Sequence, residues 1–216
     1  MNIEVDVSVA FVNIYKSTGT VFEYELVESR KGLYIAKIEN GKLTVTDGES
    51  SWTDRLNLAY SNKYGISIGI PEGHAIGLNI KADTSTVTID GVELSGNTEI
   101  VVSSGAITLQ GVSTDGYISN DITTGNVTFE SVTCSEISAD VDTGDIFARR
   151  VDAKKAISLT SGTGKITGLM PRPREEYRVS SSISTGASDL ESGGSGDVEL
   201  IVSVSTGAIA FSFPKA

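Results

Sequence analysis

Ser103-Ser104-Gly105-Ala106-Ile107-Thr108-Leu109 is answered by Thr123-Thr124-Gly125-Asn126-Val127-Thr128-Phe129, and that by Asp142-Thr143-Gly144-Asp145-Ile146. The Thr-Gly or Ser-Gly step returns at Thr163-Gly164, Thr185-Gly186 and Thr206-Gly207, and Ser85 stands in the glycine's place one unit earlier. From 85 through 105, 125, 144, 164, 186 and 207 the steps are 20, 20, 19, 20, 22 and 21 residues. A fixed period of this length is the signature of a repeat architecture.

Apolar residues keep the same phase. Val87, Ile107, Val127, Ile146, Ile166 and Ile209 stand two residues after the corner position; Ile89, Leu109, Phe129, Ala148, Leu190 and Phe211 stand four after it; Val92, Val112, Val132 and Val151 stand seven after it. On the other side, Leu78, Ile80 and Ala82, then Ile137, Ala139 and Val141, alternate with polar residues. Period-two alternation means a strand with one buried face. Each unit reads as strand, glycine corner, strand, polar turn. Twenty residues cannot enclose a core, but stacked rungs can, because each inward side chain then lies over its counterpart. The fold expected is an all-β, single-domain β-solenoid of about 20-residue rungs.

The first 77 residues follow another pattern. Ile3, Val5, Val7 and Val9 alternate; Tyr34–Ile38 and Leu43–Val45 flank Asn40-Gly41, a hairpin signal because both residues tolerate positive φ. Residues 47–63, with Trp52, read as a longer excursion, and Ile66, Ile68 and Ile70 resume a strand that Pro71 stops. We expect 1–77 to form irregular opening rungs or a β-meander capping the solenoid, 78–213 to form the regular repeats, and 1–216 to be one continuous β domain. The far end is expected to close on Phe211-Ser212-Phe213-Pro214, with Pro214 stopping further pairing.

Composition excludes several functions. A formal charge of −11 disfavours nucleic acid and anionic membranes and leaves solubility, cations or a basic partner. Cys134 is the one cysteine, so neither an intrachain disulfide nor a cysteine-based zinc site can form. No apolar run reaches the 18 residues of a membrane span, and the N-terminus is strand-like, without signal-peptide regions.

Candidate chemistry is sparse. His74, the only histidine, follows Pro71-Glu72-Gly73 in a turn with no acid–base partner by spacing. Asp140, Asp142 and Asp145 flank a glycine turn and are candidate calcium ligands, although the twelfth-position glutamate of an EF-hand is missing. The one break in the repeat, residues 168–176, holds Arg172, Arg174, Glu175 and Glu176 and is a candidate partner loop. Arg149-Arg150 and Lys154-Lys155 form a local basic cluster. No nucleophile elbow, phosphate loop or dinucleotide fingerprint is present. The expectation is a chain without catalytic residues and without cofactors.

These repeats, with the lead-in Gly41–Val45 and Ile66–Pro71, resemble the bacterial putative adhesin family, cell-surface domains of unknown function. The resemblance implies a β-helical architecture and an extracytoplasmic placement at the cell surface; it carries over no functional residues. Three functions follow for consideration: a non-catalytic cell-surface or envelope interaction module, adhesin-like, with a protein or glycan partner; an accessory or scaffold partner in envelope signalling; and a polysaccharide-active β-helix enzyme, which needs clustered acids on one face.

Overall fold

Alternating strands one period apart pair in parallel, and the glycine corners fall in line. The structure, a computed structural model, describes residues 1–28, 31–49 and 64–215. Eleven strands form one sheet: β1 (Asn2–Ser17), β2 (Glu23–Val27), β3 (Tyr34–Glu39), β4 (Lys42–Asp47), β5 (Gly65–Pro71), β6 (Ala75–Asp90), β7 (Glu93–Gln110), β8 (Tyr117–Thr143), β9 (Ile146–Leu169), β10 (Tyr177–Ser188) and β11 (Val198–Ser212). A short 3₁₀ turn covers Arg174–Glu176.

β6, β7, β8 and β9 stack in sequence order, with Ser85 opposite Gly105 and Gly105 opposite Gly125. The corner requires glycine for two reasons. Gly125 has φ +144°, and a Cβ there would lie 1.8 Å from the Gly105 carbonyl oxygen. Each backbone corner therefore rests directly on the one before it. Inward, Val12, Val87, Ile107, Val127 and Ile146 form one column, all fully buried.

The rung has one more inward side than the alternation alone showed. After the second strand the chain bends at Gly91, Gly111, Ser131 and Arg150, all with positive φ. It then buries Val92, Val112, Val132 and Val151, followed by Leu94, Thr114, Cys134 and Ala153. Bridges from Glu93 to Ser113 to Thr133 align this side. The polar turn expected there is a short core-facing segment.

Both ends of the stack depart from sequence order. β1 is a regular rung, matched to β6 from Asn2↔Gly77 to Tyr15↔Asp90, with Ala10 in the corner position opposite Ser85. On its other side β4 pairs with residues 2–6 and β5 with residues 11–17, so these two strands together make the next rung. β2 and β3 lie outermost and antiparallel, β3 reached through the hairpin in which Asn40 and Gly41 take φ +50° and +74°. Most of the expected excursion, residues 50–63 with Trp52, lies outside the described residues.

At the C-terminal end β11 is inserted between β9 and β10. Gly164 pairs with Gly207, and Gly207 with Gly186. The expectation that residues 211–214 close this end is therefore corrected: β10 is the last rung, and β11 is interior. Phe213 still contributes, its ring 5.6 Å from that of buried Tyr177 and under the Arg174 guanidinium at 5.9 Å.

Candidate functional site

Asp140, Asp142 and Asp145 do not converge. Asp140 and Asp142 are exposed on the outer face of a rung. Asp145 is tied to backbone: its Oδ1 accepts the Lys165 N–H at 2.7 Å, while its own N–H donates to Asn126 Oδ1 at 2.8 Å. Asn126, Asp145 and Lys165 occupy successive rungs, so the side chains form a ladder that satisfies the corner amides. Among the described residues no cluster of three His, Cys, Asp or Glu side chains is arranged to hold a metal ion. The Asp140 carboxyl is raised above its ordinary range, first by partial burial and then by the charges of Asp121 and Asp142. That acidic trio lies on an open outer face, not in a cleft.

The loop at 168–176 is fastened to the body. Arg172 Nε donates to Asp152 Oδ1 at 2.8 Å, and its guanidinium is 3.8 Å from Glu176. Arg174 donates to the carbonyls of Tyr177, Glu191 and Gly193 at 3.2, 2.9 and 3.1 Å. Both arginines therefore lock the crossing between β9 and β10; Glu175 and Glu176 remain exposed. The basic cluster is likewise spent between rungs. Arg149 and Arg150 both meet Glu130, Lys154 meets Asp115 at 2.9 Å, and Lys155 meets Glu136 at 3.2 Å. His74 is exposed in its turn, Nδ1 3.2 Å from the Glu72 carbonyl and its ring edge-on to Phe22. Cys134 is fully buried, and burial pushes its thiol up to about 12, so it is inert at neutral pH.

The feature that stands out was not singled out from the sequence. Phe147 and Leu169 occupy outward positions, where the alternation calls for polar residues, and are 41% and 48% exposed. With Phe211 they wall a groove of about 370 Å³ across three rungs. Gly168 forms its floor, where a Cβ would lie 2.1 Å from the Phe211 ring, so the small residue lets that ring settle. Arg149 and Asp189 stand at the rim. Asp189 Oδ1 accepts the Phe211 N–H at 2.8 Å, which fixes the aromatic wall. Thr167 also lines the groove, its hydroxyl shielded from solvent and without a hydrogen-bond partner among the described residues. An apolar concavity with a few polar groups at its edge is the usual form of a small-ligand site.

Along the corner runs a second regular feature. Thr84, Ser104, Thr124, Thr143, Thr163, Thr206 and Thr185 stack in register, and all but the half-buried Thr84 are exposed. Their spacing is that of neighbouring strands, about 4.8 Å.

The family model described as Toastrack DUF4097 matches residues 1–205. The chain belongs to the Toastrack DUF4097 family. Among solved structures, this Toastrack chain is similar to a putative adhesin from Bacteroides fragilis, with 14% identity, 98% of this chain and 91% of that one covered, and a TM-score of 0.44. It is also similar to a putative cell adhesion protein from Clostridium sporogenes, with 12% identity, 97% and 91% covered, and a TM-score of 0.32. No curated protein matches it. No helix among the described residues is long and apolar enough to cross a membrane.

Proposed function

We propose that this Toastrack chain is a non-catalytic interaction module of the bacterial cell envelope, adhesin-like, that takes a surface glycan in the Phe147–Leu169–Phe211 groove. The observation that carries the reading is the exposure of Phe147 and Leu169 at positions the repeat otherwise fills with polar side chains. Apolar surface presented to water on a rigid wall is retained where something covers it. A pyranose offers a matching pair of surfaces: an apolar ring face for the two phenyl groups, and hydroxyls for Arg149 and Asp189 at the rim. The exposed hydroxyl column along the corner gives an extended chain a polar track beside it. The resemblance to bacterial surface domains supports an extracytoplasmic placement.

The enzyme reading finds less support, because the acidic trio of Asp121, Asp140 and Asp142 sits away from the groove on an open face. The test is titration of labelled protein against a glycan panel and matrix proteins, with calcium and with chelator. A double variant, Phe147→Ser with Leu169→Ser, serves as the control. Saturable binding to one glycan class, weakened at least tenfold in the double variant with unchanged thermal unfolding, supports the reading. Equal binding by the double variant, binding to matrix protein alone, or turnover of a polysaccharide overturns it.

A further inference from the structure

Among the described residues, the insertion of β11 leaves β10 with a full strand partner on one side only. Its first half is covered: Val179 exchanges two backbone hydrogen bonds of 2.9 Å with Gly193, and Ser192 Oγ bonds both N–H and C=O of Ser181, at 2.8 and 3.1 Å. Arg174 clamps that return from behind. The cover stops there. From Ser182 to Ser188 β10 pairs only with β11 among the described residues, and Ser184 through Ser188 are all exposed.

The two ends of the stack are treated differently. The outermost strands at the N-terminal end carry Glu23 and Glu25 on β2 and Lys37 and Glu39 on β3, charges of the kind that discourage edge pairing. Ser182-Ile183-Ser184-Thr185-Gly186-Ala187-Ser188 holds no charge and no proline. One end is guarded and the other is open.

The open edge is also selective. Within the stack, the Gly144 N–H donates to the Thr163 carbonyl of the following rung at 2.8 Å, and the Gly144 carbonyl lies where a Cβ on Gly164 would come within 1.9 Å. Gly186 holds the same corner conformation, with φ +136°. Its N–H and C=O therefore face outward, ready for a strand that brings a Thr or Ser carbonyl to the one and a residue without Cβ over the other. A side chain at that point meets backbone, which cannot give.

We propose that the outer edge of β10 at Ser182–Ser188 is a strand-addition site for an extended, uncharged segment of another polypeptide carrying a Ser/Thr-Gly step, docked parallel to β10. The interface is the continuation of the β9–β11–β10 ladder, and β-augmentation supplies affinity through the main chain and specificity through the glycine. It gives an accessory or scaffold partner a place to bind, along a strand edge instead of the outward face that carries Phe147 and Leu169.

The probe is a fluorescein-labelled peptide with the sequence of residues 122–129, Ile-Thr-Thr-Gly-Asn-Val-Thr-Phe, capped at both ends, titrated into the full chain and read by anisotropy. Saturable binding is expected, at least tenfold weaker for the peptide with its glycine replaced by alanine, and unchanged by Phe147→Ser in the protein. Register is read separately: a peptide with cysteine at the second threonine forms a disulfide with the Thr185→Cys protein, whereas one with cysteine four residues further on does not. Buried Cys134 does not compete. Absence of binding, binding indifferent to the peptide's glycine, or disulfides formed equally in both registers overturns the proposal.

Discussion

Replacing Gly125 by alanine puts a methyl group 1.8 Å from the Gly105 carbonyl oxygen, 2.8 Å from its carbon and 3.0 Å from Ile122 Cδ1. Relief requires opening β7 from β8 or moving the corner out of φ +144°, and the rungs on either side resist both. Backbone strain at such a conformation costs about 1–3 kcal/mol, and forcing atoms into a packed site costs about as much again. The expected loss is about 2–6 kcal/mol, a large part of the ~5–15 kcal/mol that holds a domain folded. For a chain of this size that is a drop in Tm of roughly 10 °C. Three companions separate the clash from the mere loss of a glycine. Gly19→Ala meets Ser17 Oγ at 3.6 Å and the Val21 carbonyl oxygen at 3.9 Å, both ordinary contacts, and should be near neutral. Ser85→Ala, at the corner that already tolerates a Cβ, removes one hydrogen bond of 2.7 Å to the Ala10 carbonyl and should cost about 1 kcal/mol. Gly186→Ala keeps the 1.8 Å clash but sits on the last rung, which can splay, so its cost should fall below that of Gly125→Ala. The assay is guanidinium unfolding followed by far-UV circular dichroism and a thermal scan. A Gly125→Ala protein within about 0.5 kcal/mol of the parent, the scatter of an unremarkable surface change, would refute the stacked-corner reasoning.

Asp145→Asn should leave stability unchanged because the amide oxygen still accepts the Lys165 N–H, as Asn126 does one rung earlier for Asp145, whereas Asp145→Ala should lose about 1 kcal/mol; calcium should not shift the Tm of either, by differential scanning fluorimetry. Cys134 should react with a soluble disulfide reagent only at the rate of global unfolding, and Cys134→Ser should cost about 1–3 kcal/mol by burying a hydroxyl at a fully buried site; rapid labelling of the native protein would count against the third inward side. Tyr34 and Tyr177 are both raised from 10 to about 12, chiefly by burial, so the folded chain keeps phenol protons that the unfolded chain releases. Their stabilisation is complete below pH 10 and declines as pH rises from about 10 to 12, which urea midpoints across that window would show.

The rung was legible because its two constraints act locally. Glycine is required wherever backbone rests on backbone, and the inward phase of Val87, Ile107 and Val127 is set by strand geometry alone. The order of the rungs was not legible for a related reason. Every rung offers its neighbours the same Thr-Gly corner, so Gly164 can pair with Gly186 or with Gly207 in one register, and the periodicity is blind to the choice. What decides it lies in the connections, where Arg172 is pinned to Asp152, Arg174 clamps the 191–193 return, and Phe213 packs on Tyr177. β1 escaped notice as a rung because its corner is Ala10, next to Ser85, at the end of the column where glycine is not used. The groove left a signal that the core-directed reading passed over. Phe147 and Leu169 stand at the third and fifth residues after their glycines, outward positions where an apolar side chain breaks the alternation. The acids of 140–145 misled in the opposite direction, since proximity in sequence placed them on opposite sides of a corner, with Asp145 committed to the backbone ladder.

The inserted final rung is the claim on which the open edge and the end of the stack both depend, and paired cysteines test it most directly. Neighbouring strands about 4.8 Å apart can be bridged by a disulfide, whereas strands two rungs apart, at about 9.6 Å, cannot. In a Cys134→Ala background, Thr163→Cys with Thr206→Cys, and Thr206→Cys with Thr185→Cys, should each oxidise quantitatively, because both pairs are register partners. Thr163→Cys with Thr185→Cys should stay reduced under the same conditions. A bridge between positions 163 and 185, with none between 163 and 206, would mean that the rungs stack in sequence order and would contradict the account.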